Sequence, residues 1–458
     1  MENSEPSNDV EVNNNKSGLT IEPVIMLMFL GIQANLMVQT NLFEERVCLH
    51  SDLGQNKSVN CYNMTASDQE IVQPTVADLQ MIKHLIETSV PCITAFFLGP
   101  WSDINGRLPL LLTAISGGKN GDIKLYVQCI STISSLSPIM FLLCSIPVAI
   151  SGGTGTLFMA ASCYVVEVAD YKSRAFSNNY RLYKFIINSL KFVIVLNYFS
   201  QEVIITNHET NDPDPTSKHT TCGFTFLVKL GADKKLFNIK LVKDMWQTIT
   251  KRRFGFLRCI IVLSAALLTL NLIILLGEDS FMYMYLQKQF LWTLENYTPF
   301  YAYTTLIHAT IPVIGLYVLN TKLQFPEMYI GIAAAALGIF EKIGLAYSVH
   351  RWQFYAMKTV GYNVYISQSL IRSQLSKSIP PEDLCKIFAF LGMIENFGEL
   401  LYSPLYTAVY VSTIHDFANC FFFLSAILNT LVFVLFGAIS FLLSRSTITD
   451  DLLIENQF

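Results

Sequence analysis

"GPWSDINGRLPLLL", residues 99–112, packs two glycines, two prolines, an aspartate and an arginine between long apolar runs. Each residue type has a physical use at such a place. Gly99 lets two helices approach closely. Asp103 can cap a helix start or pair with a base across a bundle. Gly106 allows a sharp turn, and Arg107 sets a charge where the chain leaves an apolar phase. The stretch is therefore either an electrostatic latch between helical bundles or an ordinary aqueous turn. What flanks it decides the fold.

The flanks are apolar along most of the chain. Of 458 residues, 52% are hydrophobic and 14% are charged, and the mean hydropathy is +0.41. Soluble domains carry about a quarter charged residues, so the deficit marks lipid as the solvent. A net charge of −4 argues against a nucleic-acid partner. The start, "MENSEPSNDVEVNNNKSG", is polar and acidic rather than a cleavable leader, so the first apolar run is expected to serve as both signal and anchor.

A helix crossing the hydrocarbon layer needs about 20 mostly apolar residues. Five stretches meet this without any Asp, Glu, Lys or Arg: 23–43, 138–166, 259–277, 296–321 and 417–443. Six more meet it with some charge: 79–100, 108–131, 183–206, 328–349, 352–372 and 384–414. The expected fold class is an all-α polytopic membrane protein made of two helical bundles. The expected layout is a cytosolic tail (1–22), an N-terminal bundle (23–206), a basic cytosolic linker (207–256), a C-terminal bundle (257–444) and a tail (445–458). Eleven spans make an odd number; "GGKNGDIK" (117–124) interrupts the third, and Lys184 and Lys191 thin the region 183–206.

Lys and Arg collect on the cytosolic side, and the segment "ADKKLFNIKLVKDMWQTITKRRFGFLR" is the main basic block. The loop 44–78 then lies outside, with sequons at Asn56 and Asn63, and the sequon at Asn296 falls on the same side. These three are candidate glycosylation sites, whereas Asn15 lies in the cytosolic tail. Cys48 and Cys61 share the outer loop, where a disulfide can persist; two separate thiols are the alternative.

The opening motif, Gly99–x3–Asp103–x2–Gly106–Arg107, resembles the signature that major facilitator transporters place between their second and third spans. Further stretches, "IEPVIMLMFL", "CYNMT", "EVADYKSRAF", "IRSQLSKSIPPEDLCKIFAF" and "SPLYTAVY", resemble the proton-coupled folate transporter and thymic stromal cotransporter family. The resemblance implies a major facilitator fold of nominally six plus six spans that moves an organic anion with protons. It implies gating by Asp103 and Arg107, an acidic Asp170 at the end of the fourth span, and a substrate-handling Arg372 in the tenth. The chain departs from the family pattern at Leu108, which stands in place of a second basic residue. It has no counterpart of the fifth-span glutamate near Tyr180–Lys184, and Leu275 falls near the seventh-span histidine.

Ionisable groups inside spans usually face a cavity or a partner. Lys358, Tyr362, Tyr365, Ser369 and Arg372 recur at spacings of 4, 3, 4 and 3, which on one helix is one face. That stripe suits an anionic, partly aromatic solute; the alternative is that the two cations snorkel to opposite interfaces. Glu395 and Glu399, four apart, are candidates for proton coupling or a structural pair. His308 is a candidate coupling residue or a packed histidine. Glu278 and Asp279 read most simply as outer loop, although the family alignment puts them inside the seventh span, and Glu341 and Lys342 can neutralise each other.

No HExxH, GxSxG, paired CxxC or P-loop lysine is present, so no enzyme, cofactor or metal is expected. The expected function is proton-coupled symport of a folate-like or other carboxylated solute by a monomer in the plasma membrane. A lysosomal or endosomal membrane is the alternative location. A non-transporting pseudotransporter, acting as scaffold or receptor, is the alternative function.

Overall fold

The computed structural model describes residues 39–50, 61, 64–105, 137, 139–143, 145–150, 239–251, 256–361 and 363–455. No strand occurs among them. This follows from the solvent: inside lipid a backbone must satisfy its own hydrogen bonds, and a helix does so within one segment. The helices are α1 (39–50), α2 (Ala66–Asn105), α3 (Met140–Leu143), α4 (Ser145–Ile150), α5 (Ile239–Thr250) and α6 (Leu257–Phe290). Next come α7 (Leu294–Leu316), which runs on as the π-helical turn Tyr317–Lys322, and α8 (Glu327–Ala346). The last are α9 (Arg351–Val360), α10 (Asn363–Ser378), α11 (Pro381–Thr413) and α12 (Cys420–Glu455). Among the described residues, five helical stretches are long and apolar enough to cross a membrane: Ala66–Leu98, Leu257–Phe290, Leu294–Asn320, Glu327–Ala346 and Cys420–Arg445.

Several expectations shift in detail. The loop expected over 44–78 is shorter, because the chain is helical to His50 and again from Ala66. A reciprocal cap starts α2. Thr65 N donates to Asp68 Oδ2 (2.9 Å), and Asp68 N donates to Thr65 Oγ1 (3.4 Å), the T-x-x-D form of a capping box. α2 then continues through Gly99 to Asn105, so the first half of the opening motif is helix rather than turn. The Asp103 side chain, Gly106 and Arg107 lie outside the described residues, as do Asn56, Asn63, Asp170, Tyr362, the Tyr365 side chain, and the regions 108–131 and 183–206. The expected cytosolic linker contains a helix, α5. Its Met245 and Ile249 are buried against α2 and α11, while Trp246 is exposed.

The C-terminal helices pack as pairs: α8 along α12, and α6 along both α11 and α12. Close approach depends on small residues. At Gly331 of α8 an added Cβ would strike the Phe436 ring of α12, whereas nothing lies within 4 Å of a Cβ added at Gly437. α2 packs along α11 and joins the N-terminal helices to the C-terminal set. At one end a disulfide links Cys48 to Cys61, their Cα atoms 5.7 Å apart. There Gln73 Nε2 donates to the Met284 carbonyl (3.0 Å) and Tyr410 OH donates to Gln73 Oε1 (2.9 Å). Tyr283 OH donates to Asn41 Oδ1 (3.2 Å), and Lys288 pairs with Glu70 (2.9 Å).

Gly331→Ala is expected to lower the melting temperature of the purified chain, since overpacking a tight helix contact costs about 1–3 kcal/mol. Gly437→Ala, placed in open space, is expected to leave it unchanged or slightly raised. Thermal unfolding of both variants in the same detergent checks the contrast.

Candidate functional site

α6 carries its charges in mid-helix. Glu278 and Asp279 lie twelve and eleven residues before its end at Phe290, which corrects the outer-loop reading. The helix is 34 residues long, about 50 Å at 1.5 Å per residue, and it outruns the ~30 Å hydrocarbon layer. The apolar run after "GEDS", "FMYMYLQ", continues the span that the charges seemed to end.

A buried carboxylate needs partners, and Glu278 takes two. Its Oε2 accepts from Lys342 Nζ of α8 (2.8 Å) and from Lys358 Nζ of α9 (3.1 Å). Glu341 makes ion contacts with the same two lysines, at 2.7 Å to Lys342 and 3.3 Å to Lys358. Glu341 and Lys342 thus do meet, but as half of a four-membered group. α9 ends at Gly361, and a Cβ there would overlap the Glu341 carboxylate; only glycine lets that anion lie against the backbone. A gap of about 10 Å³, room for one water molecule, remains among Leu275, Glu278, Asp279, His308, Glu341, Lys342, Lys358 and Gly361.

A second ionic pair lies between α10 and α11. Arg372 Nη2 donates to both Glu395 oxygens, at 2.5 and 2.7 Å. Glu395 is buried and Arg372 partly so. Glu399, one turn further along α11, lies near Cys92 of α2. Across the same seam, Phe96 meets Phe397 edge-on with ring centroids 5.7 Å apart, and His84 meets Tyr402 at 5.6 Å. Lys83, which is buried, and Glu87, partly so, form an i,i+4 pair at 3.0 Å on α2.

The candidate residues therefore separate into groups. Arg372 and Glu395, read from sequence as substrate and proton residues, are in direct contact. Lys358 and His308 lie together at the Glu278 group. The five-residue stripe presumed one continuous helix, but α9 stops at Gly361 and α10 starts at Asn363, so Lys358 and Arg372 serve different ionic groups. Asn296 is exposed at the start of α7, where its Nδ2 donates to Thr293 Oγ1 (3.0 Å). Lys83 and Glu87 were not singled out from sequence. Their four-residue spacing inside the apolar run 79–100 was the available signal.

No family model matches this chain. It is 23% identical over 457 residues to a Drosophila melanogaster protein described as "Probable peptidoglycan muropeptide transporter SLC46", spanning 93% of this chain and 86% of that protein. The structure is similar to that of the human organic anion transporter MFSD10 (TETRAN), with TM-score 0.55 and 13% identity over 92% of this chain and 100% of that one. It is also similar to a bacterial homologue of the iron transporter ferroportin, with TM-score 0.51 and 12% identity over 92% and 100% of the two chains. The proton:xylose symporter XylE gives TM-score 0.51 and 14% identity over 89% and 95%. The fold is that of the major facilitator superfamily.

Removing one partner of a buried ion group leaves an uncompensated charge, at a cost of about 3–5 kcal/mol. Lys342→Met is expected to lower the melting temperature sharply. Adding Glu341→Gln to it is expected to recover much of the loss, because one positive and one negative charge have then left together. Thermal unfolding of the single and double variants measures the difference.

Proposed function

We propose that this chain, a multi-pass major facilitator superfamily transporter whose sequence resembles the proton-coupled folate transporter and thymic stromal cotransporter family, carries an organic anion together with protons. The observation that carries the reading is the contact between Arg372 and Glu395. A guanidinium inside the membrane needs a counter-anion. In this conformation Glu395 supplies it. When Glu395 takes a proton its charge disappears, and Arg372 is left to attract the carboxylate of a solute. When the solute departs, Glu395 must lose its proton to satisfy Arg372 again. Proton and anion therefore load and leave together, and the site never holds an unpaired charge.

The relatives' descriptions fit this chemistry. MFSD10 is described as an organic anion transporter, XylE as a proton symporter, and the Drosophila protein as a probable transporter of muropeptides. A folate-like or other carboxylated small solute is the substrate class proposed here. Glu399 and Asp170 are proposed to relay protons to and from Glu395. Tyr362 and Tyr365 would line the solute path between Lys358 and Arg372. Gly99, Asp103, Gly106 and Arg107 would latch the bundles at the cytosolic face. Asn56, Asn63 and Asn296 would carry glycans outside, in a monomer at the plasma membrane.

The test is uptake of labelled folates, small dicarboxylates and muropeptide fragments into cells expressing the chain, with surface protein quantified. External pH is set at about 5.5 and about 7.5, on either side of the usual histidine range. Acid is expected to stimulate uptake of an anion. Arg372→Ala is expected to cut uptake by about tenfold or more, as for other truncated buried charge pairs. Glu395→Gln is expected to keep uptake but lose the response to acid. Undiminished uptake in Arg372→Ala at normal surface level would remove the basis of the assignment.

A further inference from the structure

The Glu278 group does not balance. Three carboxylates, Glu278, Asp279 and Glu341, line the same gap as two ammoniums, Lys342 and Lys358. Glu278 takes both lysine hydrogen bonds on one oxygen. Glu341 is 1% exposed and lies 2.7 and 3.3 Å from the two lysines, but its oxygens, like Oε1 of Glu278, have no partner of hydrogen-bond geometry. No cation lies within ion-pairing distance of Asp279 among the described residues. With every group ionised the cluster would hold one uncompensated negative charge at membrane depth, which is costly.

We infer that this cluster carries one exchangeable proton, shared between Asp279 and Glu341 across the water-sized gap. The inference rests on the proton-coupled reading above and adds a second seat to it, apart from Arg372 and Glu395. The geometry favours these two because Glu278 alone takes well-formed hydrogen bonds from both lysines, while Asp279 has no ion pair among the described residues and Glu341 has ion contacts alone. One proton brings the group to neutrality and gives Glu341 the hydrogen bond that it otherwise lacks, directly to Asp279 or through a water in the gap. The other groups facing the cluster are His308 and Tyr297 from α7 and Tyr402 and Tyr406 from α11. From α12, Ser425 contributes a hydroxyl 2.7 Å from that of Tyr406. The three phenols and the hydroxyl leave the charge count unchanged, as does His308 in its imidazole form. Lys358 in this arrangement is the lysine that holds α9 to the seat, and the solute's carboxylate is left to Arg372.

The test needs no substrate. The purified full-length chain in lipid nanodiscs is read by infrared spectroscopy for its protonated-carboxyl band at about pH 5.5 and about pH 7.5. Glu395→Gln is present throughout, to remove the other proton site. The band is expected to be larger at acid pH, to shrink in Asp279→Asn and in Glu341→Gln, and to lose one carboxyl equivalent in the double variant. A band of equal size at both pH values, or one unchanged in the double variant, overturns the inference. Should the double variant not survive purification, Lys358→Met decides, because removing one ammonium is expected to add one protonated carboxyl at neutral pH. An unchanged spectrum there overturns the inference equally. A missing band together with acid-driven uptake by the unaltered chain sinks this inference alone. A titrating band together with acid-indifferent uptake sinks the transport reading alone.

Discussion

A charge can lie at the depth of the hydrocarbon layer only if its counter-charge comes with it. In this chain Glu278 meets that demand for two lysines at once, and much of the C-terminal half follows from it. Lys342 comes from α8 and Lys358 from α9, so both helices are fixed to α6 at one depth. Glu341, next to Lys342, is carried into the same place, and α9 must pass it with a glycine there. The helical run through the tenth span ends at that glycine and starts again two residues later. The packing of three helices and the break after one of them are thus consequences of balancing buried charges.

That constraint also explains which parts of the structure the sequence displayed. The spans expected at 259–277, 328–349, 384–414 and 417–443 all fall on described helices, because an uncharged or sparsely charged run of that length has few other stable forms in lipid. The start of α2 was hidden by the polar run "ASDQEIVQ", which resembles a loop in composition. The Thr65–Asp68 cap was the signal that it is a helix start. The site was legible by residue type but not by pairing. Glu278 meets Lys342 and Lys358 across 64 and 80 residues, and no periodicity spans such distances. Arg372 and Glu395 were both visible as charges in apolar helices. Their contact depends on the short turn between α10 and α11, which returns the chain so that residues 23 apart face each other.

The two kinds of polar contact in the molecule differ in strength, and the difference bears on how it can move. Within the C-terminal set the Glu278 group is buried and mutually dependent and the Arg372–Glu395 pair is mostly buried, so parting either would cost several kcal/mol. At the disulfide end, the contacts of α1 and α2 with α6 and α11 include neutral hydrogen bonds through Gln73, Tyr410, Tyr283 and Asn41, and an ion pair on a Glu70 side chain that is 35% exposed. Each such contact is worth about 1 kcal/mol or less. Helical sets held by buried ion groups, with a seam held by weaker contacts, can shift against one another without parting their cores. Opening at the disulfide end would hand Gln73, Tyr410 and Lys288 to water rather than to lipid, so their lost partners would be replaced by solvent. Arg372 and Glu395 cannot be served that way as cheaply, because Glu395 is buried and Arg372 mostly so between α10 and α11. The contacts that resist separation are thus the buried ion groups, and the weaker ones lie where α1 and α2 meet α6 and α11.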